Sequence, residues 1–571
     1  MRKAFKTCFC VLLACSMLAG AVACGRVSSD RPEPVSAGAQ DLRTVKLFGQ
    51  QYRAYDWCNA DGPNVQDYYS VQALNEDLAE RGLRIEWEAI ENASYQMTLQ
   101  MRIASGDKYG MLVNGSTLSD SEALAYGKDG RFANLRELYG KYDADGSILN
   151  FCDANFPNML NTLTTEDGLL FWMPYLNSFK FTDDKASVTS VMTTIIRKDW
   201  IEKLGFEIKY EYSTDEYFDL LKAFRDMDVN GNGVPDENIG CSFADFDTGS
   251  TSGLSESFGL FSGFEHPMGT AIERKNGVRE WGFVWESEYI AEYLDYLNKL
   301  YAEGIYDLDL LNDGAVLQMR NENRGATSIY SRSWAAVDQE VLGVDDAHYA
   351  PIRVYYMDPS NSVIVSGDIV NAYASKYMVP SNLTDGEFQS VVDLLKYVYT
   401  TRYIELMYGG IEGVGFHYTE YGELIRDFDT TMNKDKVHLD APLWHCISGN
   451  LLPNVFTNPI SIKRIREEML PQWQAENNYR EIFQYDYKYV LGGTYDIKRS
   501  TIAYSVPTDK EAEDLARVTN TLSTYSKELL LSYITGDAAL NDLPKYIEEM
   551  NTIGMKEYKD AMSARYFRSY K

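Results

Sequence analysis

Residues 195–237 read IIRKDWIEKLGFEIKYEYSTDEYFDLLKAFRDMDVNGNGVPDE, and this stretch decides the class of fold. The mostly β-branched run from Val188 to Ile196 predicts a strand, because branched side chains suit a pleated surface. Asp199 can then cap a short helix that Gly205 ends. Ser213 and Glu216 have the spacing of a capping box. Behind them Tyr217, Leu220, Leu221 and Phe224 recur at the spacing of one helical face. A strand, a short helix and a capped amphipathic helix in succession are the signature of an α/β protein.

The last twelve residues, Asp226 to Glu237, carry chemistry rather than core. Calcium takes six to eight oxygen ligands from a loop able to wrap it, and glycine permits the tight turn. Counted from Asp226, the loop fits the EF-hand pattern with Asp226, Asp228, Asn230, Gly231 and Glu237. Counted from Asp228, a shorter set appears: Asp228, Asn230, Asn232, the Val234 carbonyl, Asp236 and Glu237. Both share Asp228, Asn230 and Glu237. The shorter set is favoured, because its ligands alternate strictly and Pro235 separates the backbone donor from the closing carboxylates. The ion expected is calcium in a structural role.

Outward from this stretch the alternation continues. Residues 44–48 read as a strand, Ser70 to Arg81 as a helix closed by Gly82, and Leu83 to Ala89 as a half-buried strand. Met111 to Val113 and Leu169 to Met173 read as short buried strands, the second ending at Pro174. A helix near 287–303 places Ile290, Tyr293, Leu294, Leu297 and Leu300 on one face, with Gly304 as its stop. The 571-residue chain exceeds what one core supports, roughly 250–300 residues, so at least two lobes are expected. In α/β sheets ligands bind at the carboxyl ends of strands, here in a cleft between lobes.

The amino terminus predicts export. Arg2, Lys3 and Lys6 precede an apolar stretch from Thr7 to Leu18, then Gly20-Ala21-Val22-Ala23 and Cys24. The apolar run is too short to span a bilayer and reads as a signal peptide over 1–23. A cysteine after small residues resembles the lipobox of bacterial lipoproteins, which implies a lipidated Cys24. Ala21 stands where leucine is usual; Leu12 to Cys15 also fits the pattern but leaves a very short apolar core. Residues 24–43, rich in Ser, Pro, Gly and Ala, read as a flexible tether.

Composition narrows the partners. The formal charge of −30 repels phosphate backbones, so nucleic acid is not an expected partner. Of eight cysteines, Cys58, Cys152, Cys241 and Cys446 lie beyond Cys24, widely spaced and without C-x-x-C, which argues against a zinc or redox site and leaves any disulfide pairing open. The five histidines show no metal-ligand spacing. No G-x-S-x-G elbow, H-E-x-x-H motif or phosphate-binding glycine loop occurs, so no catalytic residues are assigned.

The 195–237 stretch resembles the family 1 extracellular solute-binding proteins of carbohydrate ABC transporters. It is most similar to the longer lipoprotein members of the alginate-binding type, which share the "R-K-D-W-x-x-K-L-G" helix, the capped helix and the D-x-N-x-N-G-x-x-D-E calcium loop. That loop matches Asp228, Asn230, Asn232, Asp236 and Glu237 one by one, with Val234 as carbonyl donor, and selects the shorter register. Gly168 to Tyr175 resembles the family's "G-x-x-Y-x-x-P" segment, and Leu297 to Ile305 its "L-N-x-L-Y-x-E-G-L". Gly410 to Gly413 with His417-Tyr418 resembles "G-I-E-G-x-H-Y", with two extra residues.

The resemblance implies a two-lobe, type II Venus-flytrap fold with central sheets flanked by helices and a ligand cleft. Lobe 1 is expected at 44–178 plus about 325–385, and lobe 2 at 179–324 plus about 386–571. It implies a monomeric, lipid-anchored protein on the extracytoplasmic face of the membrane, which delivers a carbohydrate to an ABC permease. Sugars present apolar faces and hydroxyl rims, so aromatics and polar groups at strand ends are the candidate contacts. These are Trp57, Ser116, Trp172, Tyr175 and Trp334, while Trp87 and Trp200 lie on apolar faces and are expected in the core. The alternatives are a binding protein for a non-sugar solute such as a peptide, a secreted glycoside hydrolase, and a surface adhesion module.

Overall fold

The computed structural model describes residues 41–51, 65–156, 159–181, 187–188, 192–209, 211–240, 253–261, 269–273, 279–308, 322–331, 349–356, 370–427, 439–446, 452–453, 455–475 and 504–569. Strands are numbered along the chain. A mixed seven-stranded sheet holds β1 (Arg43–Gln51), β2 (Leu83–Glu91), β3 (Leu112–Asn114), β4 (Met173–Phe181), β5 (Ser187–Val188), β13 (Val370–Met378) and β16 (Val455–Ile460). Its order is β16-β4-β13-β3-β1-β2, with β5 paired to β4. A four-stranded sheet has the order β11-β6-β12-β7, from β6 (Met192–Arg197), β7 (Glu211–Ser213), β11 (Thr327–Ser331) and β12 (Tyr349–Tyr355). The strands β8 (Leu260–Phe261), β9 (Gly269–Glu273) and β10 (Arg279–Phe283) form a small antiparallel sheet, and β14 (Phe416–Tyr418) with β15 (Leu424–Arg426) a hairpin.

Local signals translate directly into elements. Strand β1 buries Val45, Leu47 and Phe48 between parallel neighbours β2 and β3. Ser213 and Glu216 close a capping box at the start of the helix Thr214–Asp226, which buries Tyr217, Leu220, Leu221 and Phe224. The helix Ile290–Ala302 buries the predicted face, and Gly304 follows with φ +69°.

One strand shifts. The sequence reading ends a strand at Pro174, whereas β4 begins at Met173 and continues to Phe181. Leu170 instead exchanges hydrogen bonds with Asn134 and Leu135. Proline lacks the donor that a ladder uses, and the β4–β13 register slips between the pairs Tyr175–Asn371 and Pro174–Lys376. The slip lets the strand run through the proline.

Two buried apolar clusters divide the protein. The first draws on residues from Val45 to Leu176, from Tyr377 to Val455, and Val506. The second draws on residues from Ile196 to Val354, Tyr504, and residues from Val518 to Met562. The grouping of the buried residues differs from the expected boundaries at two places. Residues near 326–354 belong with the second core because β11 and β12 pair with β6. Residues 386–455 belong with the first, where the helices Asp385–Val398 and Thr401–Tyr408 bury their apolar faces. No described helix is long and apolar enough to cross a membrane.

Candidate functional site

The oxygen-rich loop follows the helix Thr214–Asp226 as a series of turns. Asp228 takes φ +44°, a conformation aspartate tolerates better than most residues, and Gly231 and Gly233 take φ +78° and +84°. Side chains fold inward in strict alternation. Asp228 Oδ2 accepts from the Gly233 amide (3.0 Å), Asn230 Oδ1 from the Asn232 amide (2.9 Å) and Asn232 Oδ1 from the Val234 amide (2.7 Å). Glu237 Oε1 accepts from the Asn230 amide at 2.8 Å and so closes the loop. Asp226, the first residue of the longer register, instead meets the Arg225 guanidinium at 2.7 Å.

Asp228 Oδ1 and Glu237 Oε2 are buried and have no hydrogen-bond partner. Burial, reinforced by the charges of Asp228 and Asp236, pushes the Glu237 carboxyl above its ordinary range. Asp236 Oδ1 accepts from Asn232 Nδ2 at 3.0 Å, and its Oδ2 lies 3.7 Å from Arg324 Nε. Among the described residues no three Asp, Glu, His or Cys side chains gather as a metal cluster. The donor set is nevertheless all oxygen and rich in carboxylate, and two of its buried carboxylate oxygens are unpartnered, which fits a hard cation.

The loop also holds its neighbours. Asn230 Nδ2 donates to the Asn323 carbonyl at 3.2 Å, and Asn238 exchanges backbone hydrogen bonds with Arg324 and Ala326. Arg197 donates to Asn323 Oδ1 (2.5 Å) and to Asp199 (2.5 and 2.7 Å). The loop is thereby tied to the segment that leads into β11. Sequence reasoning found the loop but not this seam, because Asn323 and Arg324 lie some 90 residues further along the chain and carry no local signal.

The second locus lies past the carboxyl end of β3. Asn114 pairs with Tyr377 of β13, and Tyr377 in turn with Met173 of β4. This register brings the turn after β3 and the start of β4 to one level of the sheet. The hydroxyls of Ser116 and Thr117 and the indole N–H of Trp172 are all buried without a hydrogen-bond partner. Lys376 Nζ stands 5.8 Å from the centre of the Trp172 ring, donates to the Leu118 carbonyl (3.0 Å) and lies 3.2 Å from Asp120. A Cβ at Gly115 would stand 2.8 Å from Met378 Sδ, so a larger residue there needs that flexible side chain to shift.

The expected ligand contacts fare unequally. Ser116 and Trp172 are in the same region of the sheet, but the Trp172 ring is only 1% exposed within the first core. Its ring packs within that core, and the N–H is its polar group. Tyr175 lies in β4 opposite Asn371. Trp57, Trp334 and the lipidation candidate Cys24 lie outside the described residues, as do Cys58 and Cys241. Cys152 is a buried free thiol, and Cys446 is buried with its Sγ donating to the Pro442 carbonyl at 3.3 Å. His417 and Tyr418 form a surface hairpin, with His417 Nδ1 2.9 Å from Asp427 and the Tyr418 hydroxyl donating to Glu405 at 2.7 Å.

No protein-family model matches the chain. It is 28% identical over 229 residues to FusA, the fructooligosaccharide ABC transporter substrate-binding protein of Streptococcus pneumoniae, a match that covers 40% of this chain and 40% of the relative's length. A solved structure of the FusA EF-hand mutant with fructo-nystose superposes with a TM-score of 0.62 at 15% identity, over 93% of this chain and 100% of that one. An "HMO binding", ABC-transporter-associated solute-binding protein of Bifidobacterium longum infantis gives 0.64 at 18% identity, over 93% and 99% of the two chains. The alginate-binding protein AlgQ2, solved without calcium ion, gives 0.60 at 16% identity, over 93% and 99%. The chain therefore has the two-lobe α/β fold of solute-binding proteins.

Proposed function

We propose that this protein is an extracytoplasmic, lipid-anchored solute-binding protein that captures an oligosaccharide and delivers it to an ABC importer. The observation that carries the reading is the superposition of 93% of the chain on an oligosaccharide-binding solute-binding protein. The partial sequence match to a fructooligosaccharide-binding relative supports it.

Capture is by closure. The two cores belong to two lobes, and a ligand that touches both favours the closed arrangement by its differential affinity for it. Ser116, Thr117 and Trp172 are proposed as contacts of a hydroxyl-rich ligand, and the side-chain polar atom of each lacks a hydrogen-bond partner within the protein. Tyr175, Trp57 and Trp334 complete the proposed contacts. The lipid on Cys24 would hold the protein close to its permease.

The loop is assigned a structural calcium, held by Asp228, Asn230, Asn232, the Val234 carbonyl, Asp236 and Glu237. The ion would supply a partner for the two unpartnered carboxylate oxygens, and no catalytic step is assigned to it. Asp226 is left out because it is paired with Arg225 instead.

A thermal-shift screen against fructose, milk-type and uronate oligosaccharides, with peptides as a second panel, tests the ligand class. A ligand at about 100 times its Kd stabilises the folded state by about 2.7 kcal/mol, which a melting curve resolves. A saturable rise with one sugar class is expected. A rise with peptides alone replaces sugar with the alternative ligand.

A further inference from the structure

The two cores meet along a seam built around Tyr504, Ser505 and Val506. Tyr504 packs in the second core, where its hydroxyl accepts from Trp281 Nε1 at 2.6 Å. Two residues later Val506 packs in the first core and its amide donates to the Thr162 carbonyl at 2.8 Å. The chain then returns to the second core through the helix Asp509–Thr535, which buries Val518 there. Ser505, the residue between, is fully buried.

Its partner is the C-terminal helix, Met555–Ser569, whose Met555, Tyr558 and Met562 belong to the second core. Arg565 Nε donates to the Ser505 carbonyl at 2.7 Å, and the Ser505 amide and hydroxyl donate back to the Arg565 carbonyl at 3.2 and 3.0 Å. Arg568 Nε donates to the Ser505 hydroxyl (2.8 Å), and its Nη2 to the Val506 carbonyl (3.2 Å). Arg565 also reaches past the seam, its Nη2 lying 3.4 Å from Asp120. Asp120 opens the helix Asp120–Lys128 of the first core and pairs with Lys376 at 3.2 Å. The Arg565 and Lys376 side chains are each 4% exposed, so these are desolvated contacts rather than surface pairs.

We propose that Arg565 is the positioning residue of the inter-lobe joint, locking segment 504–506 to the second lobe while its outer nitrogen holds Asp120 of the first. One side chain thus touches the second core's helix, the segment joining the cores and the turn region that follows Ser116 and Thr117. Its charge-assisted bonds are of the strong kind and sit where opening would expose them to water. The angle between lobes in the ligand-free protein is then set by this contact. The inference rests on the closure mechanism above but not on the identity of the ligand.

The test uses the ligand-free, full-length mature protein. Arg565→Met removes the lock yet leaves Asp120 paired with Lys376, so no carboxylate is stranded. The proposal expects a changed small-angle scattering profile and about tenfold faster amide exchange at Ser505 and Val506, the size of effect that losing a hydrogen bond to a charged group gives. Arg565→Lys should restore part of both. Asp120→Asn weakens the arm to the first core, together with the Lys376 pair inside that core, and leaves the Ser505 bonds in place, so the scattering profile should change while Ser505 keeps its protection. A folded Arg565→Met protein with wild-type scattering and exchange overturns the proposal. Should that variant not fold, a wild-type scattering profile for Asp120→Asn does so. Both readouts are taken without ligand, so a negative oligosaccharide panel would leave this result standing.

Discussion

Adding calcium to metal-stripped protein is expected to raise its melting temperature by about 2–3 °C, and Asp228→Ala combined with Glu237→Gln is expected to abolish the rise. The reason is electrostatic. Asp228, Asp236 and Glu237 sit within one short loop, Glu237 is 1% exposed, and Asp228 Oδ1 and Glu237 Oε2 have no hydrogen-bond donor. A bound divalent cation gives those oxygens the partner they lack and offsets the repulsion between like charges. Binding only to the folded state at about 100 times Kd contributes about 2.7 kcal/mol. In a protein of this size that is a few degrees. The double variant should melt at one temperature with or without calcium. An Asp226→Asn variant should respond as wild type, because Asp226 faces Arg225 instead of the loop. Equal calcium shifts in the wild type and the double variant would remove the metal from the loop.

Trp200→Ala is expected to cost about 3–5 kcal/mol, among the largest losses a single truncation gives. Trp200 is 2% exposed in the second core, its ring edge-on to Phe224 at 5.4 Å and covered by the Arg197 guanidinium at 4.3 Å. The same Arg197 ties Asp199 to Asn323, so the cavity would open under the seam between the calcium loop and β11. Unfolding in urea followed by tryptophan fluorescence and by circular dichroism measures the loss. A loss below about 1 kcal/mol would mean that the ring is not packed as described.

What was legible in the sequence was local. The capping box at Ser213 and Glu216 and the apolar face of the helix from Thr214 depend on neighbours within a few residues and appear as read, and the side-chain oxygens of Asp228, Asn230 and Asn232 each accept from a loop amide. Which segments share a buried core was not legible, because that depends on which distant strands pair. Nothing near residue 327 says that β11 will join β6, about 130 residues earlier. Trp172 shows the limit for single residues. A tryptophan before a strand reads equally as core or contact, and only the packing of the first core decides that its ring is buried. Lys376 and Arg565 were missed for a related reason. Each is an ordinary basic residue in its own segment, and both acquire meaning only where Asp120 meets them.

The central claim is capture without chemistry, and calorimetric titration of the mature, calcium-loaded protein with oligosaccharides, followed by mass analysis of the sugar recovered, tests it most directly. The account predicts saturable one-to-one binding for one sugar class and recovery of the ligand intact. Binding followed by shortened sugars would contradict it and make the protein an enzyme, and the absence of heat across every sugar class would contradict carbohydrate as its ligand.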